Sequence, residues 1–213
     1  MVLFDLDGTL TDPAYGITRS IAHALAAVGR PVDDPDTLRH HIGPPLQYLF
    51  ADLGLDDGEI DAAITAYRER YTASGMFENA LIPGIAELLD RLVAAGATLA
   101  VATSKPTPFA ETILEHFAVR APFAFVAGAT LDGSRSHKDD VIAHALDELG
   151  APRAGTVVMV GDREHDVFGA REHGIEAIGV LWGYGSRREL AAAGAAAIVE
   201  TVDALATLLL AGG

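Results

Sequence analysis

Six short stretches of the chain are apolar almost without a break: residues 2–5, 98–103, 123–127, 156–161, 176–181 and, more briefly, 196–199. A strand with one wet face alternates apolar and polar positions. A strand covered on both faces does not, so unbroken runs predict a parallel sheet between two layers of helices. Between the runs the apolar spacing changes to three and four, the period of a helix with one buried stripe. Residues 85–95 show it and stop at Gly96, residues 138–149 stop at Gly150, and residues 164–173 stop at Gly174. Glycine closes a helix readily because it enters the left-handed region without strain. Residues 106–117 open on a proline, which suits a first helical turn. Strand and helix alternating over short links is the doubly wound α/β pattern, with the first strand central and the order 3-2-1-4-5.

One interval departs from this alternation. Residues 13–79 carry helical patterns at 17–28, 45–53 and 59–72 and no convincing strand. A simple link between strands does not need so much chain. The expectation is a core built from residues 1–12 and 80–213 with an inserted all-helical cap at 13–79. Its hinges fall at Asp12-Pro13 and at Leu81-Ile82-Pro83-Gly84.

The chemistry gathers at the ends of the apolar runs. The first ends in Asp5-Leu6-Asp7-Gly8-Thr9, the fourth in Gly161-Asp162-Arg163-Glu164-His165-Asp166. Alternate residues of a strand point the same way, so Asp5 and Asp7 suit a nucleophile with an acid/base partner on a phosphoryl group. Gly8 then turns the chain. In the doubly wound order the first and fourth strands are neighbours at the switch point, where ligands bind, which sets Asp5 beside Asp162. Asp166 lies one helical turn further on and is a ligand or a first-turn dipole partner. Carboxylates so close repel unless a cation joins them, and Mg²⁺ is the natural one: a hard ion with oxygen ligands that also takes phosphate. The second run ends in Thr103-Ser104-Lys105, with a helix start close behind to favour an anion. Thr103 is the first hydroxyl after the strand. Lys138, alone, reads as a solvated helix residue.

Together, Asp5-Leu6-Asp7-Gly8-Thr9, Thr103, Lys138, Gly161-Asp162-Arg163-Glu164-His165-Asp166 and Trp182-Gly183-Tyr184-Gly185-Ser186 resemble the haloacid dehalogenase superfamily. The likeness is to its phosphoglycolate phosphatase and 5′-nucleotidase-like members with a helical cap, and it spans essentially the whole chain. It implies an Mg²⁺-dependent phosphomonoester hydrolase working through an aspartyl phosphate. Asp5 is then the nucleophile, Asp7 the acid/base, and Thr103 and Lys138 the partners of the phosphoryl group. Asp5, the backbone carbonyl of Asp7, Asp162 and Asp166 would form the metal site. Gly8, Thr9, Ser104 and Lys105 fall beside the substrate, Lys105 on the exposed side. In similar caps a glycine-containing loop at the position of Gly43 reaches the active site.

Selectivity is expected from the cap. Tyr15 and Arg19 lie four apart on one helix face, and Arg19 is a candidate for a substrate carboxylate or second phosphate, with Arg68 a further one. His40 and His41 are adjacent, so they should not face one another on a helix. Trp182 and Tyr184 read as core or rim residues. Composition narrows the partners. A net charge of −15 with no basic stripe argues against a phosphate-backbone binder and is compatible with a small phosphorylated metabolite, since local cations and a metal decide that. The absence of cysteine excludes disulfides, thiolate metal sites and a cysteine nucleophile, and suits a reducing cytoplasm. The charge at Asp5 argues against a signal peptide, and no run is clean enough for a membrane span. A monomer or homodimer is expected. Alternatives remain. A sugar phosphomutase keeps both aspartates, but Ile17 stands where mutases of the β-phosphoglucomutase type carry a cap histidine. A dehalogenase has no use for Asp7. A non-catalytic phosphate binder should have lost part of the set, which is intact.

Overall fold

The computed structural model describes residues 1–150 and 156–211, in two compact units: Met1–Thr11 with Leu81–Gly213, and Asp12–Ala80. The chain starts with β1 (Val2–Phe4) and a two-residue strand β2 (Thr11–Asp12). The second unit follows: α1 (Ala14–Ala27), a 3-10 turn (Pro35–His41), α2 (Leu46–Asp52), α3 (Asp57–Arg70) and a π-helical turn (Tyr71–Gly75). After β3 (Ala80–Leu81), which pairs with β2, the first unit resumes with α4 (Ile85–Ala94), β4 (Leu99–Pro106), α5 (Thr107–His116), β5 (Phe123–Ala129) and α6 (Lys138–Glu148). It is completed by β6 (Val158–Gly161), α7 (Glu164–Glu172), β7 (Glu176–Val180), α8 (Arg187–Ala193), β8 (Ala197–Val199) and α9 (Val202–Ala211).

The first unit is a six-stranded sheet in the order β5-β4-β1-β6-β7-β8, and its pairings are parallel. The doubly wound α/β expectation holds, with β8 added outside the fifth core strand. β1 is central: Val2 stands opposite Leu99 on one side and Val158 on the other. Leu3 and Phe4 are therefore fully enclosed. Leu3 packs with Ala100, Met159, Val141, Ile142 and Val167 in one apolar layer. α4 buries Ile85, Leu88, Leu89 and Leu92, the stripe its spacing predicts. Each such side chain contributes about 1.5–3 kcal/mol.

In the helical unit, α1 packs on α3. α3 is started by a capping box: Asp56 Oδ1 accepts from Glu59 N–H at 2.9 Å, and Glu59 Oε2 accepts from Asp56 N–H at 3.0 Å. Arg70 ties α3 to α1, donating to Ser20 Oγ at 3.0 Å while pairing with Glu78 at 2.8 Å.

Several boundaries differ from expectation. The helix expected from residue 106 starts at Thr107, because β4 runs on to Pro106 and pairs it with Ala129. The helix expected at 17–28 begins at Ala14, where the Asp12 carboxylate accepts the Ala14 N–H at 3.1 Å. The 3-10 turn brings the His40 and His41 rings to 4.0 Å between centroids, against the expectation that neighbours diverge. The tighter winding and the pull of Asp52 on His41 Nδ1, 3.1 Å away, turn the two rings together. α8 and α9 were not expected. α8 is seven residues long, too short to show a period, and the alanine- and leucine-rich α9 carries little polar contrast. Among the described residues no helix is long and apolar enough to cross a membrane.

Candidate active site

The site lies at the carboxyl edge of the sheet in the first unit, where β1, β4 and β6 end. Asp5 continues β1, its N–H donating to Val160 O at 2.9 Å. The chain then folds into a tight loop in which Leu6 O accepts from the N–H groups of Leu10 and Thr11 at 2.9 and 3.0 Å. Gly8 sits in this loop at φ +83°, and a Cβ there would run into the Asp162 carboxylate. Only glycine serves, for its conformation and for the approach of Asp162.

Asp162, one residue beyond β6, is fully buried. Its Oδ2 accepts from Tyr184 N–H at 2.7 Å and its Oδ1 from Thr9 Oγ at 3.4 Å. Asp166 lies in the first turn of α7. Its Oδ2 accepts from Arg163 N–H at 3.1 Å, which caps the helix, while Oδ1 lies 2.7 Å from Lys138 Nζ. The first-turn role expected of Asp166 is thus filled by Oδ2. Asp5, Asp162 and Asp166 each present an oxygen within 4.8 Å of the others, all three buried.

Lys138 is buried as well, at the first residue of α6. Its ammonium lies 2.9 Å from Asp5 Oδ1 and 2.7 Å from Asp166 Oδ1, and donates to Ala102 O at 3.0 Å. Read alone it looked solvated; α6 instead aims it along the sheet edge. Three buried carboxylates share this one ammonium, which leaves net negative charge in the cluster. Enclosed carboxylates with that surplus suit a further cation. Asp5, Asp162 and Asp166 therefore fit a hard divalent metal, with oxygen donors only.

Asp7 points elsewhere and pairs with Lys105, whose Nζ is 2.6 Å from Oδ2 and 2.7 Å from Oδ1. Lys105 is buried, contrary to its expected exposure. Thr103 is buried and its Oγ accepts from Lys105 N–H at 3.2 Å; Ser104 is half-buried. Thr9 is fully buried, its hydroxyl turned to Asp162 and its carbonyl accepting from Trp182 Nε1 at 3.0 Å. Arg19 and Gly43 belong to the helical unit. There Arg19 pairs with Asp36 at 2.7 Å and stacks 3.8 Å over the Tyr15 ring, while Gly43 is exposed at φ +127°.

Burial raises the Asp162 pKa well above the usual carboxylate value, and Asp166 and Asp5 push it further. Burial likewise pushes Asp166 up to about 6, against the pull of Lys138. Asp7 is raised by burial, with Lys105 opposing. For Lys138, burial works against the charge, but Asp166 and Asp5 outweigh it and raise its pKa. The cluster is thus rich in negative charge and set to receive positive charge.

Trp182 and Tyr184 were missed as site residues. They act through an indole N–H and a backbone N–H, which side-chain type does not advertise. The one available signal was the glycine-rich run around them, since a Cβ at Gly183 would also strike Asp162.

A sequence model of the haloacid dehalogenase-like hydrolases matches residues 2–180. The chain belongs to this family. This haloacid dehalogenase-like hydrolase is similar to the 5′-nucleotidase of Pseudomonas aeruginosa, 49% identical over 194 residues, or 90% of this chain and 86% of that protein. It is also similar to the tyrosine-protein kinase PtkA of Mycobacterium tuberculosis, 50% identical over 185 residues. That match takes in 87% of this chain but 63% of PtkA. Among solved structures, that of a predicted phosphatase from Clostridium acetobutylicum superposes with a TM-score of 0.95 at 44% identity, covering 99% of this chain and 97% of that one.

Proposed function

We propose that this hydrolase is an Mg²⁺-dependent phosphatase of small phosphomonoesters that works through an aspartyl phosphate on Asp5. The observation that carries the proposal is the division of labour between the two aspartates of the first loop. Asp5 joins the acidic cluster and Lys138, while Asp7, two residues on, is held apart by Lys105. That separation supports giving the attack to Asp5 and the proton transfer to Asp7.

Asp5 attacks phosphorus in line, forming its P–O bond as the bond to the leaving oxygen breaks, and Asp7 gives that oxygen its proton. Asp7 then takes a proton from water, whose oxygen attacks phosphorus. Phosphate leaves and the Asp5 carboxylate is restored. Lys138 and the Thr103 hydroxyl meet the negative charge of the phosphoryl oxygens. Asp5, Asp162 and Asp166, with the Asp7 carbonyl, would hold Mg²⁺, which offsets negative charge on phosphate and carboxylates alike.

Substrate choice does not follow from the core, which hosts many activities, and is assigned to the helical unit. The similarity to a 5′-nucleotidase makes nucleoside 5′-monophosphates the first class to try, ahead of phosphoglycolate. The test is phosphate release, with and without Mg²⁺, from nucleotides, phosphoglycolate, sugar phosphates and phosphotyrosine, for wild type and Asp5→Asn. Mg²⁺-dependent turnover that Asp5→Asn abolishes is expected. Silence across the panel would overturn the proposal in favour of a mutase or a binding protein.

A further inference from the structure

The pairing of β4 with β5 contains an irregularity. Thr103 stands opposite Gly128, but the next pair is Pro106 with Ala129. Three steps along β4 match one along β5, so Ser104 and Lys105 are extra residues in a bulge. Bulges of this kind re-aim side chains beside active sites. Two features hold this one. Lys105 N–H donates to Thr103 Oγ at 3.2 Å, closing a turn within the strand. On β5, Gly128 N–H donates to Thr107 Oγ at 3.1 Å, and a Cβ on Gly128 would sit 2.5 Å from Lys105 O and 2.6 Å from Thr107 N. The bulge closes against β5 only because residue 128 has no side chain.

The consequence is at the far end of Lys105. A regular strand would alternate its side chains between the two faces of the sheet. The bulge instead delivers the Lys105 ammonium to both oxygens of Asp7, at 2.6 and 2.7 Å, with the lysine side chain 6% exposed. Burying a flexible lysine stem costs rotamer freedom. The contact that compensates is made to the very carboxylate that moves the proton.

We propose that Lys105 is a positioning residue: the bulge places its ammonium to hold the Asp7 carboxylate in the orientation from which it protonates the leaving oxygen. This rests on the phosphatase reading above and adds the residue on which its acid depends. Lys105 acts through Asp7 and not by binding the phosphoryl group, which falls to Lys138 and Thr103.

The test compares kcat/KM for Lys105→Met, Asp7→Asn and the double variant on two substrates. One is a nucleoside 5′-monophosphate, whose alkoxide leaving group needs a proton. The other is p-nitrophenyl phosphate, whose phenolate departs without one. General acid catalysis is worth about 10²–10⁴-fold. Lys105→Met should therefore lose about 100-fold or more on the nucleotide and less than about 5-fold on the aryl ester. The double variant should be no slower than Asp7→Asn alone, as expected for residues acting as a unit. Equal losses on both substrates with a raised KM would overturn the proposal and make Lys105 a phosphate ligand. Multiplicative losses in the double variant, or no loss at all, would overturn it too. Should Lys105→Met melt below the assay temperature, Lys105→Gln is read on the same pair with the same criteria. If the wild type turns over no nucleotide, its best alkyl phosphate from the panel above takes the nucleotide's place, and silence across that panel would overturn the phosphatase reading and this inference with it.

Discussion

Lys138→Met isolates what the buried ammonium does for the protein before any substrate arrives. Methionine nearly matches the lysine stem in length and removes only the charge and its hydrogen bond. In the wild type Nζ is 2.9 Å from Asp5 Oδ1 and 2.7 Å from Asp166 Oδ1, and those side chains are 12% and 2% exposed. Neither oxygen has a hydrogen-bond donor to fall back on. Removing one partner of a buried ion pair typically costs about 3–5 kcal/mol, because the other charge is left enclosed. For a chain of about this size each kcal/mol moves Tm by about 2–4 °C, so the midpoint should fall by about 6–20 °C. The assay is thermal and urea melting in a chelator, where no metal can replace the ammonium. A second substitution checks the cause. Asp166→Asn keeps the oxygen that caps α7, accepting from Arg163 N–H, but removes the charge left unpaired. Lys138→Met with Asp166→Asn should therefore be at least about 1 kcal/mol more stable than Lys138→Met alone. A fall of less than about 2 °C in the single variant, or a double variant no better than it, would refute the reasoning.

The cluster sets Asp5, Asp7, Asp162 and Asp166 against Lys105 and Lys138, leaving two negative charges uncompensated, the charge of one divalent ion. Mg²⁺ at about 100 times its Kd should stabilise the wild type by about 2.7 kcal/mol in melting experiments, and Asp162→Asn should lose that gain; a wild type indifferent to Mg²⁺ contradicts the charge argument. Thr103→Ala should lower kcat/KM by at least about 10-fold while Ser104→Ala changes it less than about 3-fold, since Thr103 is buried and bonded to the bulge and Ser104 is only half-buried. The reverse ranking in steady-state kinetics would move the motif hydroxyl by one residue. Burial, with the His40 ring beside it, holds His41 below its usual 6.5 against the pull of Asp52. Its folded form is therefore the poorer proton acceptor, and its contribution to stability is present above that value and lost as pH falls. Urea melts from about pH 7.5 to about 5.5 should show His41→Asn losing less stability than wild type, and equal slopes would exclude the histidine as the source.

What could be read from the chain alone was whatever a residue owes to its own element. The unbroken apolar runs placed β1 and β6, and the doubly wound order made them neighbours, so Asp5 and Asp162 could be brought together before any coordinates. Lys138 was assigned by resemblance, because nothing in the local pattern separates a buried lysine at a helix start from a solvated one. Lys105 was misjudged for a deeper reason. Its orientation depends on two extra residues in β4, and those are visible only against the spacing of β5, with Gly128 supplying the room. The contacts of Trp182 and Tyr184 on the first loop and Asp162 belong to the same class, since the donors are an indole N–H and a backbone N–H. The helical unit repeats the lesson: an ordinary α-helix would have parted His40 from His41, and a tighter turn drew them together. Asp5, Asp7 and Asp162 announce the chemistry by type and spacing. What aims them is a bulge, a glycine and borrowed N–H groups, each set by where two segments meet. Gly128→Ala or Gly183→Ala should therefore lower kcat/KM as severely as substituting Lys105 or Asp162, the residues they make room for, although neither glycine carries a functional group.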